Sequence, residues 1–347
     1  MSKIKLVGID LAKSCYQICA LDEAGKVLYN RKYSAQKFAL AVHQLEPTSV
    51  AMEACAAAHY RGRRLQVLGH VVKLVPPQHA KAFRRVHKSD EHDALSIAEA
   101  SQRPNIHFVP VKTVTQQDLQ MLGGLREQCV AQRTALINQA RGFAREHGVS
   151  FSKSRQALMA QLPAALEDAR NELSPLAREA LAELYQEIQH LSARIDDLLK
   201  RMSALAREDI AFERLQSLPG VGPVLASAAL AKVGHGQQFH SGRHCSAWVG
   251  LVPKQHGTGG KTQLGAISKN GDRTLRTLLI HGARTVIRWA DKHDHAQSRW
   301  IKQVVARCGK NKAAVALANK MMRMIWVVLT QGVSFDMHTA YRAQPAR

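Results

Sequence analysis

The first 110 residues run through apolar segments in a succession that few folds accommodate. Ile4-Lys5-Leu6-Val7-Gly8-Ile9 is a short strand-like run, Ser14 to Leu21 is a second, and Asp22-Glu23-Ala24-Gly25 supplies a turn before a third, Lys26 to Tyr33. A helical stretch from Ala35 to Leu45 follows, then the apolar strand Ser49 to Met52, a helix around Ala56 to Leu68, and a strand of buried type, Val71 to Val75, stopped by Pro76-Pro77. Three meandering strands that give way to alternating helix and strand make this part α/β.

The remainder reads differently. Residues 113–210 carry long helices, in which Leu184, Ile188, Leu191, Ile195 and Leu198 form a heptad seam with charged neighbours. That seam serves equally well for packing within the chain or for a dimer. Residues 211–347 form a third, mainly helical part that opens with Leu218-Pro219-Gly220-Val221-Gly222-Pro223 and closes with helices around Leu275 to Ala290 and Ala313 to Leu329. The last of these contains Lys320 and Arg323, which makes it a poor membrane span. Six scattered cysteines without a Cys-x-x-Cys pair argue against a zinc site or a disulfide framework. No secretory leader is evident, and a reducing cytoplasm, at the nucleoid, is the expected location.

Charge narrows the partners. With 49 Lys and Arg against 27 Asp and Glu, the formal charge is +22, a field that favours a polyanion. It is also segregated. No acid lies between Glu53 and Asp90, a stretch that holds Arg61, Arg64, Arg84, Arg85 and Lys88, and none lies between Leu215 and Gly271. Two basic lobes of this kind suit contact with a phosphate backbone. In the second lobe, Gly220 and Gly222 resemble the turn of a helix-hairpin-helix motif, whose backbone N–H groups approach phosphates. A plain helix–turn–helix connection uses the same residues. Further on, Lys254, Lys261 and Lys269 lie in a glycine-rich segment that reads as a phosphate-binding loop, although Walker A spacing is absent.

Against this basic background four acids stand out. Asp10 ends the first strand, Glu53 ends the strand Ser49 to Met52, and Asp90 and Asp93 lie where a helix should begin, three residues apart and so on one helical face. Carboxylates in such places can hold Mg²⁺ or Mn²⁺, and two hard cations activate the attacking oxygen and stabilise the leaving oxygen in phosphodiester cleavage. Asp90 works equally well as a helix cap and Glu53 as a solvated strand end. Asp10 is harder to dismiss, because an unpaired charge in an apolar run is costly. Glu91, Glu99 and Asp22 are the competing acids.

Taken in order, Gly8-Ile9-Asp10, Met52-Glu53-Ala54, Asp90-x-x-Asp93-Ala94, Arg133-Thr134-Ala135-Leu136-Ile137-Asn138-Gln139, Leu218-Pro219-Gly220-Val221-Gly222, and Gly250-Leu251-Val252-Pro253 with Gly265-Ala266-Ile267-Ser268-Lys269 resemble the DEDD transposases of bacterial insertion sequences, the bridge-RNA-guided recombinases. The resemblance runs along nearly the whole chain. It implies an α/β ribonuclease H-like (RuvC-like) catalytic domain over residues 1–112, a helical or coiled-coil linker over 113–210 that mediates dimerisation, and a C-terminal transposase domain over 211–347. It further implies that Asp10, Glu53, Asp90 and Asp93 are the metal ligands, that a structured guide RNA pairs with donor and target DNA, and that the protein works as a homo-oligomer, dimer or tetramer, with acids of a partner subunit completing the site. Family members use a C-terminal serine as nucleophile. This chain departs from them, offering Gly257-Thr258-Gly259-Gly260 at that place, so Thr258 is the nearest hydroxyl, Ser268 the second, and His256 a neighbour able to take a proton. A RuvC-like junction-resolving endonuclease shares the four acids and stands as the alternative. An actin-like sugar kinase and a non-catalytic architectural DNA binder are more remote readings.

Overall fold

The computed structural model describes residues 3–12, 15–83 and 90–341. The chain forms two compact units, divided after Val114. The first is built on a five-stranded sheet in the order β3-β2-β1-β4-β5, from β1 (Leu6–Leu11), β2 (Cys15–Leu21), β3 (Val27–Ser34), β4 (Ser49–Glu53) and β5 (Val71–Val75). β1, β2 and β3 run antiparallel, and β4 and β5 continue parallel to β1. The β2–β3 connection follows from turn chemistry. Asp22 Oδ1 accepts from the backbone N–H groups of Ala24 and Lys26, and Gly25 takes the left-handed conformation at φ +78°.

Helices α1 (Ala35–His43), α2 (Ala58–Val67), α3 (Pro77–Ala82) and α4 (Asp90–Ser101) complete the unit. Alternation along the strands assigns its two faces. Val7, Ile9, Val50 and Met52 pack with Phe38, Val42 and Leu65 of α1 and α2, whereas Leu6, Cys19, Ala51 and Val75 pack with Ala94, Ile97 and Ala98 of α4. Buried on both faces, the central strands read as near-continuous apolar runs.

The second unit is mostly helical. It contains α5 (Val114–Glu146), α6 (Arg155–Glu167), α7 (Pro175–Ala206), α8 (Ala211–Gln216), α9 (Pro223–Val233) and α10 (Gly242–Trp248). A two-stranded hairpin, β6 (Pro253–Thr258) and β7 (Lys261–Ile267), precedes α11 (Arg273–Trp289), α12 (Ala296–Gln331) and α13 (Met337–Ala340). Ser154 and Ser174 cap α6 and α7 by accepting from Ala157 N and Ala177 N. The heptad seam of α7 is used inside the chain. Ile188 packs with Ile137 and Leu181, and Leu191, Ile195 and Leu198 pack with Leu122 and Cys129 of α5. Self-association through these helices would therefore need another face. Among the described residues α12 is the one helix long and apolar enough to cross a membrane, and its Leu317, Met321, Met322 and Ile325 are fully buried against Phe212, Leu225 and Leu279 in the main core. All six cysteines are free thiols.

Candidate active site

Asp10 and Glu53 end adjacent parallel strands. Ile9 is paired with Met52, so the next residues along, Asp10 and Glu53, lie side by side at the carboxyl ends, and alternation turns both toward the face that α4 covers. The sheet changes direction of winding at β1/β4, and ligands of open α/β sheets bind at such a point.

Gly8 brings α4 to this edge. A Cβ there would collide with the carbonyl oxygen of Ala94 and lie 2.8 Å from Ala98 Cβ, so the helix rests directly on the strand. Its first turn, with Asp90 and Asp93, is thereby carried toward Asp10. The electrostatics agree. The Asp10 carboxyl has its proton affinity raised above the ordinary 3.8 by burial first, then by the charges of Asp93, Asp90 and Glu53. Burial, Glu53 and Asp10 likewise push up the thiol of Cys55. Lys32 Nζ lies 3.3 Å from Asp90 Oδ2 and offsets part of this charge.

Two of the three competing acids have other surroundings. Asp22 is spent on its turn, and Glu99 lies near Cys19, whose thiol burial pushes up to about 11 with a contribution from Glu99. The four carboxylates are hard oxygen donors carrying excess negative charge, a set that suits Mg²⁺ or Mn²⁺ in kind. Among the described residues no three His, Cys, Asp or Glu side chains are drawn close enough to form a ready-made cage.

The basic residues singled out from the sequence are placed unevenly. Arg64 is exposed. Arg61 is half-buried, donating to Tyr16 Oη at 2.6 Å and lying 4.9 Å over the Tyr16 ring and 5.5 Å over Phe38, so its guanidinium is tied into the fold. Arg84, Arg85 and Lys88 lie outside the described residues. In the second unit, Lys254 and Lys261 sit on the β6–β7 hairpin, where a loop was expected. Gly259 and Gly260, at φ +57° and +79°, make the two-residue turn that closes it. Thr258 is the last residue before that turn, exposed and paired with Lys261, with His256 two residues back on the same face of the strand. Ser268 stands at the hairpin's base, its N–H donating to Val252 O, and Lys269 follows with φ +57°. Gly220 and Gly222 lie in the α8–α9 turn.

Comparison with known proteins agrees at both ends of the chain. Residues 7–148 match a family model of IS110-type DEDD proteins described as transposase, and residues 212–299 match the model described as transposase IS116/IS110/IS902 family. A probable family 20 transposase of Pseudomonas aeruginosa is 43% identical, with 94% of this chain and 96% of that protein aligned. The chain belongs to the IS110/IS116 transposase family. The transposase for insertion sequence element IS1111A of Coxiella burnetii is 40% identical over 95% of this chain and 91% of its own length. The transposase for IS1328 of Yersinia enterocolitica is 35% identical over 97% and 100%. This transposase is thus a DNA-processing enzyme with an N-terminal mixed α/β sheet and a mostly helical C-terminal region.

Two further polar residues of the transposase, not singled out from the sequence, meet this edge of the sheet. Gln17, directly opposite Asp10 in β2, is 3% exposed and donates to Asn30 Oδ1 at 2.7 Å, and Asn30 Nδ2 donates to Glu91 O at 3.0 Å. With Lys32, this relay pins the first turn of α4 to β3. An Asn30→Ala variant is expected to lower strand cleavage by about 10–100-fold, the range typical of partners that orient ligand side chains, with stability changed by only about 1 kcal/mol. Single-turnover cleavage and thermal melting of the same preparation check this. Undiminished cleavage would show that the relay does not position the acids.

Proposed function

We propose that this transposase cuts and rejoins DNA strands at the pocket formed by Asp10, Glu53, Asp90 and Asp93 of a ribonuclease H-like, RuvC-like domain spanning residues 1–112. The observation that carries the reading is the partly buried Asp10 carboxyl, whose proton affinity is raised in the company of Asp93, Asp90 and Glu53. So much like charge at strand ends is a liability for a purely structural site and an asset for one that takes up cations.

Asp10, Glu53, Asp90 and Asp93 would hold Mg²⁺ or Mn²⁺, which supplies Lewis-acid polarisation of the phosphate and stabilises the departing oxygen. With the acids of a partner subunit completing the site, Thr258 Oγ1 attacks phosphorus, forming a phosphothreonine bond as the P–O bond to the leaving strand breaks. The hydroxyl proton passes to His256 or to water, and the leaving deoxyribose oxygen departs as a hydroxyl. Attack by the hydroxyl of the incoming strand then releases Thr258 and restores the phosphodiester. Exposure of Thr258 at the hairpin tip supports this role, since a large substrate can reach it. The β-branched carbon makes the attack slower than serine's.

The division into a catalytic domain, a helical linker over 113–210 that mediates dimerisation and a transposase domain over 211–347 is part of the same proposal. So are a guide RNA that pairs with donor and target DNA, a dimeric or tetrameric assembly, and action at the nucleoid in the cytoplasm. The motif resemblance supports these features, and the net charge of +22 suits two nucleic-acid partners.

Thr258 supplies the test. Thr258→Ala is expected to lose strand transfer and the covalent protein–DNA adduct, whereas Thr258→Ser keeps both. Cleavage persisting in Thr258→Ala, with no adduct in the wild type, would favour the junction-resolving endonuclease. Sequencing of nucleic acid co-purified with the protein from cells carrying its flanking DNA tests the guide. A discrete structured RNA is expected, and random fragments alone would remove it.

A further inference from the structure

We infer that the exposed face of α11, together with the groove beside the α8–α9 turn, is a track for the backbone of duplex DNA in the second unit. From Leu215 to Ala290 the chain holds nine Lys and Arg and a single acid, Asp272. Asp272 is already neutralised, with Lys232 Nζ at 2.7 and 2.8 Å from its two oxygens, and it caps α11 through Leu275 N. No carboxylate of this stretch is left to oppose an anion.

The basic side chains of α11 are sorted by face. Leu275, Leu279 and Ala283 enter the core, and Arg276 turns inward to donate to the carbonyls of Val249 and Asn270. Arg273, Thr277, His281, Arg284 and Arg288 are exposed, at intervals of four, four, three and four residues, and so lie along one side of the helix. Among the described residues, Arg273, Arg284 and Arg288 make no ion pair. Near the start of the helix, Glu127 accepts from Thr274 Oγ1, and Asp291 lies beyond the far end. Fifteen residue steps of helix make a stripe about 22 Å long, enough to follow roughly six nucleotides of one strand at 3.4 Å each.

The groove lies alongside. Gly220, at φ +85°, meets α11 backbone to backbone. A Cβ at Gly220 would come within 2.8 Å of Gly282 O, and one at Gly282 would strike Gly220 O. This close approach leaves an open concavity of about 460 Å³ walled by residues 216–222, Gly282 and Thr285. Thr285 lies one helical turn beyond His281 of the stripe, so the groove borders the stripe. The stripe offers arginine and hydroxyl groups in a straight row without a row of amides for reading bases. Duplex DNA held by its phosphates is the occupant that charge and shape select.

The inference rests on the transposase acting on DNA, and the test separates it from the metal and nucleophile assignments. Full-length protein freed of nucleic acid is titrated with a fluorescent duplex of arbitrary sequence between about 50 and 200 mM salt. For the variant Arg273→Ala/Arg284→Ala/Arg288→Ala, the slope of log affinity against log salt should fall by about 2.7, at roughly 0.9 for each phosphate that is no longer neutralised. The triple lysine variant should keep the slope, and Arg284→Glu alone should bind more weakly than Arg284→Ala. Asp10→Asn and Thr258→Ala should bind as the wild type does. Unchanged slope and affinity in the triple alanine variant would overturn the track, and so would a loss seen only with an RNA duplex of the same sequence.

Discussion

Asp10→Asn is expected to reduce DNA cleavage by at least a factor on the order of 10²–10³, the range for removing one group that stabilises charge in a transition state, while duplex affinity stays within about twofold, because binding is carried by phosphate contacts elsewhere. The same variant should melt at a higher temperature than the wild type in a chelating buffer. Folding raises the affinity of Asp10 for its proton above the ordinary 3.8, through burial and then Asp93, Asp90 and Glu53. Between 3.8 and the raised value the folded chain therefore binds more protons than the unfolded chain, so stability falls as pH rises through that window. Once the group is charged at neutral pH, it is a standing cost that asparagine removes. Mg²⁺ or Mn²⁺ should then raise the melting temperature of the wild type and leave that of the variant almost unmoved. A wild type indifferent to divalent ions, with Asp10→Asn still active, would end the proposal of a metal pocket.

The four acids are visible in the sequence because each interrupts a pattern. Asp10 and Glu53 end apolar runs, and Asp90 and Asp93 share a helical face just after residues 54–89, a stretch without a carboxylate. The strands are legible for a related reason. Cover on both faces of the sheet makes each central strand a short block of buried residues such as Leu6-Val7-Gly8-Ile9, which no long amphipathic helix imitates.

What stays hidden depends on partners distant in sequence. Gln17 and Asn30 look like ordinary polar residues until the β2–β3 register and the α4 start bring Asn30 to Glu91, 61 positions away. Arg61 counts as a free cation in the sequence, and only the fold wraps it in Tyr16 and Phe38. The α7 seam cannot name its partner, because Leu122 and Cys129 come from far upstream. The β6–β7 hairpin escapes for another reason. All six residues of β6 are exposed, so apolar–polar alternation, the usual strand signal, has no buried face to report. Its turn glycines are what betray it.

Gly8 joins the fold to the proposed chemistry, and its replacement tests that link. Gly8→Ala is expected to destabilise the protein by about 1–3 kcal/mol, the usual cost of overpacking, because the new methyl strikes the Ala94 carbonyl oxygen and comes within 2.8 Å of Ala98 Cβ. A backbone carbonyl inside a helix cannot rotate aside, so relief requires α4 itself to move away from β1. The start of that helix carries Asp90 and Asp93, and a displacement of about 1 Å at catalytic groups can cost on the order of 10²-fold in rate. Cleavage should therefore fall by roughly that factor even at temperatures where the variant is fully folded. Gly142→Ala provides the contrast, since nothing lies within 4 Å of a Cβ built there and alanine is favoured over glycine in a helix by roughly 0.5–1 kcal/mol. That variant should melt at the wild-type temperature or above, with cleavage unchanged. If Gly8→Ala instead lost stability and kept its full single-turnover rate, the seating of α4 on β1 would matter for folding alone, and the helix-borne aspartates could not be what the rate depends on.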